Sequence, residues 1–376
     1  MQTTRRHSFK LLGLALALAA LPAAASDDHD DDSDGFRTGK VFTSSNATAA
    51  NEVLVYAADA SGKLTFETRV ATHGQGTGGG LGNQGAVTLS GSGRHLFVVN
   101  ALSNTVSTFA VRRSGLQLES SVDSGGLQPI SVTEHDGIVY VLNAGGAGNV
   151  AGFRNRGGML SPIAGSTRAL SAAGGTGPAQ VGFNPDGDVL LVTEKATNKL
   201  TSYRVRDDGA IGAPVVSASH GMTPFGFAFD PRGHALVSEA FGGAAGASAV
   251  SSYGFDNASG AQPALISASV ADTQSAACWV VVTPNGRYAY VTNTGSNTIS
   301  SYAVHSSGQI ALQQASAAVS GGAPIDAAIA PGGRALYVLN AGSRTITSFA
   351  IGKDGTLSDP GSVAGLPAGA NGLAAN

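Results

Sequence analysis

Short stretches in which apolar and polar residues alternate recur along most of this chain. Residues 105–109 (Thr-Val-Ser-Thr-Phe), 298–302 (Thr-Ile-Ser-Ser-Tyr) and 345–349 (Thr-Ile-Thr-Ser-Phe) share this pattern. Alternation with a period of two predicts β-strands. A more continuous apolar run precedes each stretch, and turns rich in Pro, Asp and Gly, such as residues 184–187, separate the runs. The pattern therefore predicts many short strands joined by tight turns.

These strands belong to a unit that recurs seven times. The second strand of each unit ends at a polar residue, namely Asn46, Asn100, Asn143, Glu194, Glu239, Asn293 or Asn340. A period of about 50 residues with about four short strands per unit is typical of β-propeller blades. The sequence therefore predicts an all-β, seven-bladed β-propeller over residues 39–376.

The two ends of this region predict how the ring closes. Residues 41–46 resemble a second strand, but no first strand precedes them. Residues 370–374 resemble the first strands of the other units. We therefore expect the C-terminus to supply the innermost strand of blade 1, which would leave no open sheet edge at the joint.

Composition narrows the classes of protein that fit this pattern. Of the 376 residues, 53 are Gly and 12% are charged, which suits crowded inner strands and tight turns better than long charged helices. The single Cys excludes an intrachain disulfide and a Cys-based zinc site. The sequence contains no G-x-S-x-G, H-E-x-x-H or C-x-x-C motif, so a familiar serine hydrolase or zinc protease is not indicated.

The N-terminus has the features of an export signal. Arg5, Arg6 and Lys10 precede an apolar run over residues 11–21, and three alanines at 23–25 provide a cleavage site. We predict a signal peptide over residues 1–25 and a periplasmic or secreted protein. The paired arginines leave both Sec and twin-arginine export open.

After cleavage the chain has no candidate for membrane insertion and few positive charges. The net charge of −3 becomes about −6 when the three basic residues of the signal are lost, so a nucleic-acid partner is not expected. Residues 26–38 carry six Asp and His29. We predict a disordered acidic leader there, because clustered like charges repel; a loose cation-binding tail is the alternative.

Candidate functional residues gather on one face of the predicted propeller. Because the strands of a blade run alternately up and down, the ends of the second strands and the starts of the first strands share a face. The binding candidates there are Gln180, Asn100, Asn143, Asn293, Asn340, Trp279, Asp326 and His220. For the asparagines the alternative is capping of local turns, and for Trp279 it is packing between blades. No metal site and no cofactor are predicted.

Two acids break the repeat at this face. Glu194 and Glu239 stand where the other units have Asn, in adjacent blades. A carboxylate at a polar pocket is a candidate general base. We therefore select these two residues as catalytic candidates.

Several motifs resemble a known family. Residues 290–293 (Tyr-Val-Thr-Asn) match the repeat of bacterial Tyr-Val-Thr-Asn propellers. The G-x-L turns at 62–64 and 355–357, the Gly177-Pro178 pair, the 185–187 turn and Glu194 resemble the lactonase propeller family, which includes 6-phosphogluconolactonase and carboxymuconate cyclase. The resemblance implies a propeller and lactone chemistry. The family pattern has Arg-His after Gly-Pro, whereas this chain has Ala179 and Gln180.

Two functions fit these observations. The first is an exported lactone hydrolase, in which Glu194, helped by Glu239, is the general base and Gln180 and the asparagines donate hydrogen bonds. The second is a non-catalytic propeller that binds a small ligand, a glycan or a protein partner at the same face. The absent Arg-His pair favours the second, and the two acids with the family resemblance favour the first.

Overall fold

A computed structural model describes residues 39–255 and 261–376, apart from the side chains of residues 359 and 360. The predicted signal peptide (1–25) and acidic leader (26–38) lie outside the described residues. Seven antiparallel sheets are present in the described part of the chain. The innermost strand of each sheet contacts the innermost strands of the two neighbouring sheets, and this series returns to its start. The prediction of a seven-bladed all-β propeller is confirmed.

Blades 1 to 4 each contain a four-strand meander, with a small additional strand in blade 3. Blade 1 comprises, from the axis outward, β29 (Asn371–Ala375), β1 (Gly39–Ser44), β2 (Glu52–Ala58) and β3 (Leu64–Ala71). Blade 2 comprises β4 (Val87–Leu89), β5 (His95–Asn100), β6 (Thr105–Arg112) and β7 (Gly115–Asp123). Blade 3 comprises β8 (Pro129–His135), β9 (Ile138–Asn143), β10 (Asn149–Arg156) and β11 (Met159–Pro162), with β12 (Arg168–Ala169) also paired to β10. Blade 4 comprises β13 (Pro178–Phe183), β14 (Val189–Glu194), β15 (Lys199–Arg204) and β16 (Val215–Ala218).

Blades 5 to 7 repeat the same order. Blade 5 comprises β17 (Pro224–Phe229), β18 (Ala235–Glu239), β19 (Ala249–Phe255) and β20 (Pro263–Ala271), with a single 3-10 turn (Phe241–Gly243) after β18. Blade 6 comprises β21 (Ala277–Val282), β22 (Tyr288–Asn293), β23 (Thr298–Val304) and β24 (Ile310–Val319). Blade 7 comprises β25 (Pro324–Ile329), β26 (Ala335–Asn340), β27 (Thr345–Ile351) and β28 (Leu357–Ala364).

The C-terminal strand closes the ring as predicted. In the antiparallel register of β29 with β1, Thr43 lies opposite Leu373 and Phe42 opposite Ala374. Leu373 is 6% exposed and packs with buried side chains of blades 7 and 1. The first and last segments of the described chain thus share one sheet, in which β29 covers the inner edge of β1.

Adjacent blades are held together by apolar side chains and by a few aromatic hydroxyls. Tyr140 of blade 3 donates a hydrogen bond to the carbonyl oxygen of Gly209 in blade 4 at 2.7 Å. Tyr290 of blade 6 donates in the same way to Gly355 of blade 7 at 2.8 Å. Both rings are almost completely buried. These contacts bury the apolar body of each tyrosine and satisfy its hydroxyl at the same time.

The inner strands expose main-chain groups to the axis, and neighbouring side chains satisfy many of them. Gln180 of blade 4 donates from Nε2 to the carbonyl oxygen of Phe227 at 2.9 Å and accepts the Phe227 N–H on Oε1 at 2.7 Å. Thr88 of blade 2 donates to the carbonyl oxygen of Val132 in blade 3 at 2.8 Å. These hydrogen bonds satisfy main-chain groups on the inner edges, where no further strand is present to pair with them.

The propeller has two distinct faces. We call the face where the second strands end, for example at Glu194, the loop face, and the face where the first strands end, for example at Phe183, the turn face. In the turn after Phe183, the Asn184 side chain accepts the N–H groups of Asp188 and Val189. None of the helical segments in the described ranges is both long and apolar enough to span a membrane.

Candidate functional site

The asparagines at the ends of the second strands connect three parts of the propeller. Asn100 accepts hydrogen bonds on Oδ1 from Thr72 at 2.7 Å and from Asn51 at 2.9 Å. Its Nδ2 donates to Thr105 and Ser107 on the next strand. Thr72 belongs to the connection from blade 1 to blade 2. The asparagine therefore ties the second strand, the third strand and the incoming connection together.

The other predicted asparagines occupy equivalent positions. Asn143 accepts from Ser124 and donates to Asn149, and Asn340 accepts from Ser320 and donates to Thr345 and Thr347. Asn293 donates to Thr298 and Ser300. All four asparagines are completely buried. Each bonds to its own blade or to the connection that enters that blade, and Asn100 also bonds to Asn51 of blade 1. The structure does not bring them together into one pocket, and these contacts favour the turn-capping interpretation.

Glu194 occupies the same kind of position as these asparagines. It accepts hydrogen bonds from the Ser171 N–H at 2.9 Å and from Thr201 at 2.6 Å on Oε1. Its Oε2 accepts from the Ser171 and Thr197 hydroxyls. The side chain is 0% exposed. Four donors therefore surround a carboxylate that has no surface in contact with solvent.

Glu239 is surrounded in a similar way. Its Oε1 accepts from the Gly221 N–H at 2.9 Å and from Ser251 at 2.5 Å, and its Oε2 accepts from Ser269 at 2.6 Å. It too is 0% exposed. A general base needs a lone pair that can reach a water molecule next to the substrate. The contacts of both glutamates instead support the connections between blades, and their role as bases stays a prediction.

The centre of the loop face is filled by residues 82–84, a segment that we call the plug. The plug belongs to the connection between blades 1 and 2, yet it bonds to blades 3, 4 and 6. The Asn83 side chain donates to the carbonyl oxygen of Ile130, and the Gln84 N–H donates to that of Ala179 at 3.1 Å. Gln84 also exchanges hydrogen bonds through its side-chain amide with Val280, at 3.0 and 3.3 Å. The plug therefore crosses the axis and closes it at this face.

The close approach of the plug requires glycine in the strand beneath it. A Cβ on Gly226 would lie 2.1 Å from Oε1 of Gln84 and 2.6 Å from the carbonyl oxygen of Cys278. No side chain fits in this space without displacing main-chain atoms. Ala179, which stands where the family pattern has Arg, is completely buried below the plug.

Lys195 lies beside the plug at this face. Its Nζ donates to the carbonyl oxygen of Gly82 and lies 4.5 Å from the centre of the Phe225 ring. Within the described ranges, no carboxylate forms an ion pair with this ammonium. Burial lowers the pKa of Lys195 to about 8, although the nearby Cys278 opposes the shift. Burial also raises the pKa of the Cys278 thiol to about 11. A cation therefore sits in an apolar, aromatic corner of the loop face, where charge interactions are strong.

Sequence reasoning missed Lys195, although the repeat contained a signal for it. Lys195 follows directly after Glu194 at the end of a second strand. The corresponding residues in the other blades are small or uncharged: Ala47, Ala101, Ala144, Ala240, Thr294 and Ala341. A single charged residue at a repeat position that is otherwise neutral marks a departure from the structural pattern.

The remaining predicted residues lie in different places. Trp279 is 3% exposed, donates from Nε1 to the carbonyl oxygen of Asn83 at 2.6 Å and packs against Phe225 with ring centres 5.0 Å apart. These contacts favour the alternative role of Trp279, which is packing between blades. His220 is exposed on the connection between blades 4 and 5, where its N–H bonds to the Tyr253 hydroxyl. Gln180 and Asp326 both reach the axis.

Two adjoining cavities of about 360 and 280 Å³ lie on the axis between the plug and the turn face. Gln84, Thr88 and Gln180 line both of them, and Asp326 lines the second. Asp326 is 2% exposed, and burial raises its pKa well above the ordinary value, although main-chain N–H groups at Ala327, Leu373 and Gly85 oppose the shift. Across the described ranges, no three His, Cys, Asp or Glu side chains cluster in a way that could hold a metal ion.

Comparison with known proteins relates this architecture to one family. The family model "Lactonase, 7-bladed beta-propeller" matches residues 147–263 and 248–369, which together span more than half of the chain. No curated protein matches the chain.

Solved structures that resemble the chain include three bacterial propellers. A protein from Lactobacillus plantarum is 20% identical with a TM-score of 0.73, covering 90% of this chain and 100% of that one. The periplasmic gluconolactonase of Pseudomonas aeruginosa is 20% identical with a TM-score of 0.68, covering 89% and 99%. A provisional 6-phosphogluconolactonase from Bacteroides uniformis is 17% identical with a TM-score of 0.68, covering 89% and 98%. At these identities the likeness establishes the shared fold.

Proposed function

This chain belongs to the lactonase family of seven-bladed β-propellers, and we propose that it is an exported enzyme that hydrolyses a lactone at the loop face of its axis. The family match supports lactone chemistry. The likeness to a periplasmic gluconolactonase supports a sugar-derived lactone as the substrate class. The predicted signal peptide over residues 1–25 supports a periplasmic or secreted location.

The observation that carries this proposal is the position of Lys195. Hydrolysis of a lactone passes through a tetrahedral intermediate whose carbonyl oxygen becomes negatively charged. Cations or N–H groups that are fixed beside that oxygen stabilise it. The Arg-His pair of the family pattern is absent, since Ala179 and Gln180 stand in its place. Ala179 is buried and Gln180 is bonded to Phe227, so neither supplies a positive charge. Lys195 supplies a positive charge at the same face, from the residue that follows Glu194.

We assign Lys195 the role of stabilising the oxyanion in its ammonium form. Water attacks the lactone carbonyl and the ring C–O bond then breaks. A proton of the attacking water passes through solvent to the ring oxygen, which leaves as a hydroxyl group, and the product is a hydroxy acid. The Phe225 ring forms one wall beside the ammonium and limits its contact with water. Exclusion of water strengthens the interaction between the ammonium and the developing oxyanion.

Glu194 acts in this scheme as a positioning residue. It fixes Ser171, Thr197 and Thr201 around the point where Lys195 leaves the sheet. The earlier prediction that Glu194 or Glu239 is a general base requires one of these carboxylates to become exposed. A variant of each glutamate in the activity assay tests that requirement.

The test is a pH-stat assay of acid release from a panel of aldonolactones and aliphatic lactones, with the spontaneous rate subtracted. We expect Lys195→Met to lower kcat by about 100-fold or more, as removal of one oxyanion donor does in other hydrolases. Lys195→Arg retains the charge and should retain more activity. Wild-type activity should fall as the pH rises through about 8, since the ammonium is then lost. Lys195→Arg should not show this fall, because Arg stays protonated.

Matched controls separate the roles. Lys63→Met changes an exposed lysine on the turn face and should leave turnover unchanged. Equal turnover by wild type and Lys195→Met would refute the role of Lys195. Loss of turnover in Glu194→Gln with an unchanged melting temperature would instead support the general-base prediction. A chain that hydrolyses no lactone in the panel would favour the second function, a non-catalytic propeller that binds a ligand or partner at this face.

A further inference from the structure

The axial cavities are polar at one end and apolar at the other. Near the plug, Gln84, Gln180 and Asp326 line the wall. Towards the turn face the wall consists of Phe183, Phe229, Val282, Pro284 and Ile329. The plug closes the loop-face end, so the cavity is open only from the turn face. This entrance lies on the opposite side of the propeller from Lys195.

Asp326 is an unusual member of this wall. Its Oδ1 accepts the N–H of Ala327 at 2.8 Å, and main-chain N–H groups at Leu373 and Gly85 also face the carboxyl. Within the described ranges, no Lys, Arg or His forms an ion pair with it. It is also the one residue with a titratable side chain among the described residues that line the two cavities. A buried carboxyl without a cation is costly in free energy. A group of this kind that faces a cavity is a candidate for ligand binding.

We propose that this cavity binds an organic cation with an aliphatic portion, such as a primary alkylamine, whose ammonium pairs with the carboxylate of Asp326. The carbonyl oxygens of the Gln84 and Gln180 side chains each accept one main-chain hydrogen bond and keep a second lone pair for the other ammonium hydrogens. The aliphatic portion would extend towards Phe229 and Ile329.

The dimensions suit a short chain. Asp326 and Ile329 are three residues apart on β25, which corresponds to about 10 Å along a strand. The inner strands therefore place the carboxyl and the apolar wall at the two ends of a molecule of a few carbon atoms. An inorganic divalent cation fits less well, because such ions require several oxygen ligands and the cavity offers one carboxylate.

The protonation of Asp326 provides a specific signature of this binding. Because burial keeps its pKa high, the carboxyl of the empty cavity holds a proton over a wider pH range than an ordinary aspartate does. An ammonium ligand favours the ionised carboxylate, so its binding should release a proton. A neutral ligand in the same cavity would release none.

Isothermal titration calorimetry of the whole protein with n-alkylamines of two to eight carbons, in two buffers of different ionisation enthalpy, tests the proposal. We expect the best amine to bind at least tenfold more tightly than the n-alcohol of the same length, with proton release in wild type. Asp326→Asn should abolish both the preference and the proton release. Phe229→Ala should weaken the amine and the alcohol alike, and a thermal melt verifies that each variant is folded.

Other outcomes overturn the proposal. Equal affinity for amine and alcohol, an unchanged amine preference in Asp326→Asn, or no binding of any amine would each refute it. Tighter binding of calcium or potassium ions than of the alkylamines would assign the cavity to an inorganic cation instead. The calorimetric readout does not depend on lactone turnover, so failure of the lactonase proposal and failure of this one are distinguishable.

Discussion

Replacing Lys195 by Met should remove a specific dependence of stability on pH. The amine is buried beside Phe225 and the plug, and its pKa of about 8 is lower than the ordinary value of 10.5. Between these two values the unfolded chain holds a proton that the folded protein has lost. The free energy of unfolding of wild type therefore rises with pH in this window.

The size of the effect follows from the two pKa values. Between pH 7 and pH 9, the lysine should add about 1.3 kcal/mol to the free energy of unfolding of wild type, relative to a variant without the amine. Cys278 and the buried tyrosines titrate in both proteins, so their contributions largely cancel in the difference. Met has a similar length and no charge, so it leaves the packing against Phe225 nearly intact.

Equilibrium unfolding in urea at pH 7, 8 and 9 measures this difference. We expect the free energy of unfolding of wild type, minus that of Lys195→Met, to increase by about 1.3 kcal/mol as the pH rises from 7 to 9. Lys63→Met, which alters an exposed lysine, should track wild type at every pH. If this difference in the free energy of unfolding stays constant between pH 7 and pH 9, the amine is not desolvated, and the proposed site loses its electrostatic basis.

Three further perturbations test the fold and the site. Glu194→Gln replaces an acceptor oxygen by a donor among hydroxyl and N–H groups, and it should cost about 1–3 kcal/mol in the free energy of urea unfolding; no change would contradict the observed network. Deletion of residues 366–376 removes β29 and opens the ring, so the melting temperature should fall sharply, and an unchanged melt would refute closure by this strand. Gly226→Val should displace Gln84 of the plug from β17, which the fluorescence of Trp279, the single Trp, should report as a red shift; an unshifted spectrum would argue against the close packing.

The architecture was predictable because its determinants are local and repeated. Each blade carries its own alternation of apolar residues and its own turn, as in residues 184–187, so the seven units can be counted along the chain. The missing first strand before residue 41 and the matching segment at 370–374 predicted the joint that β29 and β1 form. The polar residues that end the second strands of blades 2 to 7 were located correctly for the same reason, whereas in blade 1 the second strand ends at Ser44, two residues before Asn46.

The surroundings of those residues depended on contacts that no local pattern contains. The sequence placed Glu194 and Glu239 on the loop face, but only the packed connections between blades show that hydroxyl and N–H groups enclose both carboxylates. Asn83 of the plug accepts a hydrogen bond from Trp279, which is 196 residues away along the chain. Such a contact depends on the closed ring, because closure alone brings blades 3, 4 and 6 around one axis. Local alternation and turns thus determined the blades. Closure of the ring decided which side chains are buried and which face a cavity. It also placed the charge of Lys195, rather than that of the enclosed glutamates, beside the closed end of the axis.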